Sequence, residues 1–330
     1  MGHYVFYLDE PFKLILTCLP KVGSTETVKL ILRMAGEPKK TWRGKISSAR
    51  VHGIPQRKDH LLSRLSPAEA QRRLLDPEYT RAVLVRDPLE RLLSAYLDKI
   101  VGQRAAAGAS RSWWDMNKTV NSYRLRPGRA KPTFHEFATW ASASPWPAIP
   151  EQELANPLGY NPYSAHPFVP WGPRPPELKY YNSESNPLNI WDPRYAKRLG
   201  DPHWRGQAHL AGLHKTAALY DYIIPLDKAQ EGMRALLEGL PGGDAWERFG
   251  ASGWGTDGNL SFMEKAGDSH TTDAHRRLHD AYNNDIDLMN RVAATYWEDY
   301  VTFSPHLQWP EAVTFWQLRG QRFAYDEPNA

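Results

Sequence analysis

"LTCLPKVGSTETVKLIL", residues 16–32, is the stretch on which the fold turns. An apolar run stops at Pro20, the chain passes through Lys21, Val22, Gly23, Ser24 and Thr25, and apolar residues then return at helical spacing. "KLILTCL" (13–19) reads as a short buried strand. "ETVKLILRMAG" (26–36) places Val28, Leu30, Ile31, Leu32 and Met34 in a helix that stops at Gly36. A loop leading from a strand into a helix start presents backbone N–H groups at the positive end of the helix dipole, and together these attract phosphate-like anions. Lys21 adds a full charge, Gly23 lets the backbone approach closely, and Ser24 and Thr25 supply hydroxyls. The stretch is not a Walker A loop, because its lysine precedes the glycine. An ordinary strand-to-helix corner is the alternative reading.

A second unit of the same kind follows. "RAVLVRD" (81–87) reads as a strand, and "PLERLLSAYLDKI" (88–100) as a helix with Pro88 in its first turn and Leu89, Leu92, Leu93, Tyr96 and Ile100 on its inner face. Arg86 ends the strand and Ser94 lies two helical turns on, so both can grip a further phosphate near the same sheet edge. "SPAEAQRRLL" (66–75) is a crossover helix with a capping box of Ser66 and Glu69. Further on, "LYDYIIP" (219–225) is a strand, "DKAQEGMRALLEGL" (227–240) a helix, and 271–299 one long helix carrying Leu278, Tyr282, Ile286, Met289, Val292 and Tyr296 on a single stripe. The expected fold is therefore α/β and P-loop-like, with a central parallel sheet flanked by helices. A single domain, 1–330, is expected, with a binding core at 13–100 and a loop-rich Pro/Trp insertion at 101–205 facing the acceptor. Residues 206–300 complete the strands and helices, and 301–330 form a tail.

Composition narrows the class. A hydrophobic content of 41% with 12% aromatic residues describes a globular chain. No apolar run reaches membrane-spanning length and the N-terminus lacks a signal-peptide core, so neither a transmembrane segment nor an export signal is expected. The single cysteine, Cys18, excludes an internal disulfide and cysteine-clustered metal sites; it reads as a small buried apolar residue, and no metal is expected. Residues 1–130 hold 24 Lys and Arg against 12 Asp and Glu, a balance of +12, whereas residues 131–330 carry −8. The first part is built to meet anions. Nucleic acid is the usual partner of such a surface, but no zinc-finger spacing, RNA-recognition signature or basic helix with heptads appears, and a small polyanionic cofactor fits as well; no nucleic-acid partner is expected.

"LPKVGST" followed by "VRDPLERLLSAYLDKI" resembles the two cofactor motifs of the Golgi carbohydrate sulfotransferases, sulfotransferase family 2, the group with the chondroitin 4-O and HNK-1 enzymes. "PTFHEFATWA" (132–141), "DPHW" (201–204), "LYDYIIPLDKAQEGM" (219–233) and "RLHDAYNNDIDLM" (277–289) are similar to further segments of that family, in the same order. The resemblance implies that 13–100 binds PAPS (3′-phosphoadenosine 5′-phosphosulfate), releasing PAP. Lys21, Val22, Gly23, Ser24 and Thr25 would hold the phosphosulfate end, and Arg86 and Ser94 the 3′-phosphate. The sequence departs from the family at Ser24, where Cys is usual, at Thr27, where Trp is common, and at "HLAGLHK", where paired cysteines are missing. Without that luminal disulfide the expected location is cytoplasmic, with the Golgi lumen as the alternative if an N-terminal anchor is missing from this chain.

The implied chemistry is in-line sulfuryl transfer to a hydroxyl, in which catalysis is mostly positioning and charge stabilisation. Lys21 suits the charge on the bridging oxygen. A histidine suits the base, since its ordinary pKa lies near neutrality. His52 in "ARVHGIP" occupies the place where related sulfotransferases carry theirs; His60 and His203 are rivals. Asp87 and Glu90 read as fixing a helix start, Asp221 and Asp285 as ordering the fold, and Arg91 as either a cofactor contact or a structural pair. The expected activity is PAPS-dependent O-sulfation of a carbohydrate hydroxyl. The alternatives are a small-molecule alcohol as acceptor, a nucleotide-dependent kinase, or an inactive glycan-binding relative.

Overall fold

A computed structural model describes residues 5–42, 51, 60–101, 133–142, 203–208, 210, 217–255, 257–264, 273–304, 306 and 307. In chain order the strands are β1 (Val5–Asp9), β2 (Leu14–Cys18), β3 (Thr80–Val85) and β4 (Tyr222–Pro225). The helices are α1 (Ser24–Met34), α2 (Pro67–Leu75), α3 (Pro88–Tyr96), α4 (Phe134–Ser142), α5 (Ala229–Glu238), α6 (Leu278–Tyr282), α7 (Ile286–Thr295) and α8 (Trp297–Thr302). Two compact units divide them: one holds the described residues up to Arg86 and those from Gln207 to Glu264, the other those from Asp87 to Gly206 and from Asp273 onward.

The first unit is built on a sheet in the order β1-β2-β3-β4. β2, β3 and β4 are parallel, as expected. β1 is an addition that the sequence reading did not contain, and it pairs antiparallel with β2, Asp9 opposite Leu14. The tight connection is stabilised at its start, where Asp9 Oδ1 accepts the Phe12 N–H at 3.0 Å. β2 is buried throughout and β3 from Arg81 onward, which is why both appear as unbroken apolar runs and not as alternating ones.

Helix ends follow the sequence signals. α1 stops as expected at Gly36 (φ 74), where the Gly36 N–H reaches the Arg33 carbonyl and the Glu37 N–H the Leu32 carbonyl, a Schellman closure. α2 carries its capping box, with the Glu69 N–H on Ser66 Oγ and the Ser66 N–H on Glu69 Oε2. Near the end of α1, Arg33 lies over Trp42 at 4.9 Å and over Trp254 at 5.6 Å, and donates to the Ser252 and Arg248 carbonyls. These contacts fasten the 246–264 segment to α1.

The second unit is helical. Leu89, Leu92, Leu93 and Tyr96 of α3 bury against Phe134 and Phe137 of α4, Tyr282 of α6, and Leu288 and Val292 of α7. Edge-to-face contacts link Tyr96 to Phe134 (5.3 Å), Phe134 to Tyr282 (4.8 Å) and Phe137 to Trp204 (5.6 Å). Such pairs contribute ~1 kcal/mol each beyond simple burial.

One expectation fails here. In place of a single helix over 271–299 the chain forms α6, α7 and α8. Asn283 and Asn284 both take left-handed backbone (φ 52 and 53), which asparagine tolerates and a helix does not. Asp285 then restarts the chain as a cap, its Oδ1 accepting the Leu288 N–H at 2.8 Å. Ile286, expected on the buried stripe, is consequently 54% exposed.

Candidate active site

β2 delivers the chain to the first corner. Lys21 (φ 68) and Gly23 (φ 78) both have left-handed backbone, with the buried Val22 between them. At Gly23 a Cβ would be strained and would also stand 2.7 Å from Met263 Cε and 3.3 Å from Leu226 Cδ1. The left-handed backbone is what calls for glycine there; the Met263 methyl, at the end of a flexible side chain, could shift aside. No side chain caps α1; its first turn closes on itself, the Thr27 N–H and hydroxyl both reaching the Gly23 carbonyl, at 3.0 and 3.2 Å. The acid of that turn, Glu26, is engaged by Lys29 at 2.7 Å. Lys21, Ser24 and Thr25 are only half-buried, so their polar atoms stay within reach of a ligand. Beneath the loop, the buried Cys18 thiol donates to the Ser24 carbonyl at 3.7 Å, in keeping with a structural role.

β3 delivers the second corner. Because β2 and β3 are parallel and paired from Leu14–Thr80 to Thr17–Val83, their C-terminal ends emerge at the same edge of the sheet. Arg86 follows immediately, and its Nη1 donates to the Lys21 carbonyl at 3.4 Å. The structure thus brings together Lys21 and Arg86, residues 65 positions apart in the chain.

Gln207 completes this arrangement: its Oε1 accepts the Arg86 N–H at 2.9 Å and its Nε2 donates to the Arg86 carbonyl at 2.7 Å. Sequence reasoning missed it, as it missed Met263 and Leu226. Gln207 stands three residues after Trp204, and no local pattern marks it.

Ser94 is buried on α3 in the second unit, as is Arg91, 2% exposed, whose Nη1 donates to the Arg205 carbonyl. That favours the structural reading of Arg91. His203 is buried in the second unit. His60 sits outside β1, beside the Tyr7–Leu61 bridge; the group it acts on electrostatically, Asp9, is at the opposite end of the sheet from Lys21. The structure therefore does not bring His60 to the corner. His52 lies outside the described residues.

Asp87 starts α3, with Oδ1 accepting the Glu90 N–H at 3.0 Å and Oδ2 the Tyr300 hydroxyl at 2.9 Å. Burial lifts its carboxyl to about 6 in spite of these hydrogen bonds. Asp221 orders the first unit, accepting the Arg81 N–H at 2.8 Å. Among the described residues no group of three or more His, Cys, Asp and Glu is placed to hold a metal ion, and no helix is long and apolar enough to cross a membrane.

The groups at the first corner are a lysine, two hydroxyls, an uncapped helix start and an arginine. That donor set, on a loop turned by a left-handed glycine, suits a phosphorylated or sulfated ligand. Fold and site together define an α/β protein whose first strand-to-helix corner is suited to an anion. The chain belongs to the sulfotransferase family, whose profile matches residues 4–304. It is similar to Carbohydrate sulfotransferase 10 of Homo sapiens and of Pongo abelii, 34% identical to each over 104 residues. These matches cover 29% of this chain and 27% of each relative, so the chain spans about a quarter of the length of the curated relatives it matches. No solved structure matches it.

Proposed function

We propose that the protein transfers a sulfuryl group from PAPS to a hydroxyl of a carbohydrate. The observation that carries this reading is the contact of Arg86 Nη1 with the Lys21 carbonyl, which sets the two cationic residues of the two strand-to-helix corners side by side. Family membership supports sulfate as the transferred group, and the name of the curated relatives supports a carbohydrate acceptor.

PAPS supplies the activated sulfuryl group and leaves as PAP. Lys21 Nζ neutralises charge on the leaving side, while the backbone N–H groups from Val22 to Thr25 and the hydroxyls of Ser24 and Thr25 hold the phosphosulfate end. The family motif assigns Arg86 and Ser94 to the 3′-phosphate. Lys21 is suited to its task because its own backbone is pinned by Arg86. His52 accepts the acceptor's hydroxyl proton at a ring nitrogen.

The test combines ligand binding with single-turnover transfer. PAP should raise the melting temperature where ATP, with or without magnesium, does not; the reverse result overturns the reading in favour of a kinase. Radiolabelled PAPS is then offered with glycosaminoglycans, simple glycosides and small alcohols. Binding of PAP without transfer to any of them would mark an inactive relative. His52→Ala should lower the transfer rate by ~10²–10⁴ while keeping PAP affinity. Normal turnover by that variant would remove His52 as the base and pass the role to His203.

A further inference from the structure

Gln207 is fully buried, and its one carboxamide bonds both backbone groups of Arg86. The need for it can be seen in the sheet. Pairing of β3 runs out at Val83 opposite Thr17 on the β2 side and at Val85 opposite Pro225 on the β4 side, so the ladder has ended on both edges before Arg86. A carboxamide offers an acceptor and a donor in one plane, and so substitutes for a paired strand at the residue where the strand ends. The side chain that leaves this clamped backbone is the one that reaches the Lys21 carbonyl.

We propose that Gln207 is a positioning residue: by holding the Arg86 backbone it sets the guanidinium beside the Lys21 loop, and it governs the grip on the ligand without touching it. The inference rests on the reading of Arg86 as a PAPS contact. It also gives the 203–208 stretch a role that neither of its marked residues, His203 and Trp204, supplies. Ligand affinity at the corner then depends on a residue 121 positions from the arginine it controls.

The test uses the full chain with Gln207→Met, which keeps length and removes both hydrogen bonds. PAP affinity is measured by calorimetry. Arg86 is probed without any ligand by its rate of modification with an arginine-specific dicarbonyl, read by peptide mass spectrometry. Gln207→Met should weaken PAP at least ten-fold and raise the Arg86 modification rate several-fold. In an Arg86→Ala background it should cost no further PAP affinity, an outcome that general destabilisation would not produce. An unchanged modification rate overturns the proposal, as does an equal loss of affinity in the Arg86→Ala background. If the wild-type chain binds no PAP, the functional reading falls, while the modification rates still decide whether Gln207 positions Arg86. Should the methionine variant not fold, Gln207→Glu keeps the acceptor, loses the donor, and is judged on the same measurements.

Discussion

The two strand-to-helix corners are built alike and finished differently. At the first, α1 begins after a left-handed Gly23, with no capping side chain, and its one early acid, Glu26, is taken up by Lys29. At the second, α3 begins with Asp87, whose carboxylate occupies the N-terminal position that an anion would otherwise fill. A helix start can satisfy its first N–H groups from within or leave them to a ligand. The first corner is therefore the one equipped to receive an anion with its backbone. On the proposed function the second takes part through Arg86, which precedes its own cap.

Of the changes at the two corners, removing the charge at the first should have the largest effect. Lys21→Ala is expected to lower kcat by ~10²–10³, the range for loss of one group that stabilises developing charge. A variant with normal kcat and a raised KM would show that Lys21 only binds, and would weaken the distinction between the corners.

The second corner is tested by pH. Asp87 keeps its proton to about 6 in the folded chain, against 3.8 ordinarily. A carboxyl raised on folding adds stability that is fully present below the unfolded value and is lost as pH rises through the folded value. Stability from this group should thus fall between about pH 4 and about pH 6, by up to ~3 kcal/mol. Asp87→Asn retains an acceptor for the Glu90 N–H and cannot ionise, so urea denaturation at both ends of that window should show a flatter profile than wild type. Parallel profiles would mean that Asp87 is not the carboxyl responsible.

A carboxylate placed at the first corner should make it behave like the second. Ser24→Asp is expected to stabilise the fold by ~0.5 kcal/mol through the helix dipole. The same variant should weaken PAP ten-fold or more, ~1.4 kcal/mol. Gain of stability with unchanged PAP affinity would break the comparison outright. The smallest effect is reserved for a capped helix away from both corners: Ser66→Ala should cost ~1 kcal/mol in stability and leave PAP affinity as it was. A change in affinity there would mean that capping acts on the ligand site through overall stability.

Local signals were read well wherever neighbours along the chain settle the matter. β2 and β3 are continuous apolar runs, α2 has its capping box, and α1 has its glycine stop, so each was found to within a residue or two. β1 was not, because "VFYLD" becomes a strand through its ladder with β2 and carries little pattern of its own. The helix over 271–299 was drawn too long because its apolar spacing continues across Asn283 and Asn284, and the stripe does not reveal that both adopt left-handed backbone.

The candidate site divides in the same way. Lys21, Gly23 and Ser24 belong to one short loop, and the requirement for a left-handed glycine before a helix is a property of that loop alone; the amino-acid sequence determined it. Whether Arg86 would come to Lys21 was decided by the parallel register of β2 and β3, and whether its backbone would be held was decided by Gln207 arriving from more than a hundred residues away. Close packing against Gly23 by Met263 and Leu226 arises similarly. Such contacts depend on how separate segments pack, and hydrophobic burial drives that packing without leaving a mark on the polar residues it happens to align.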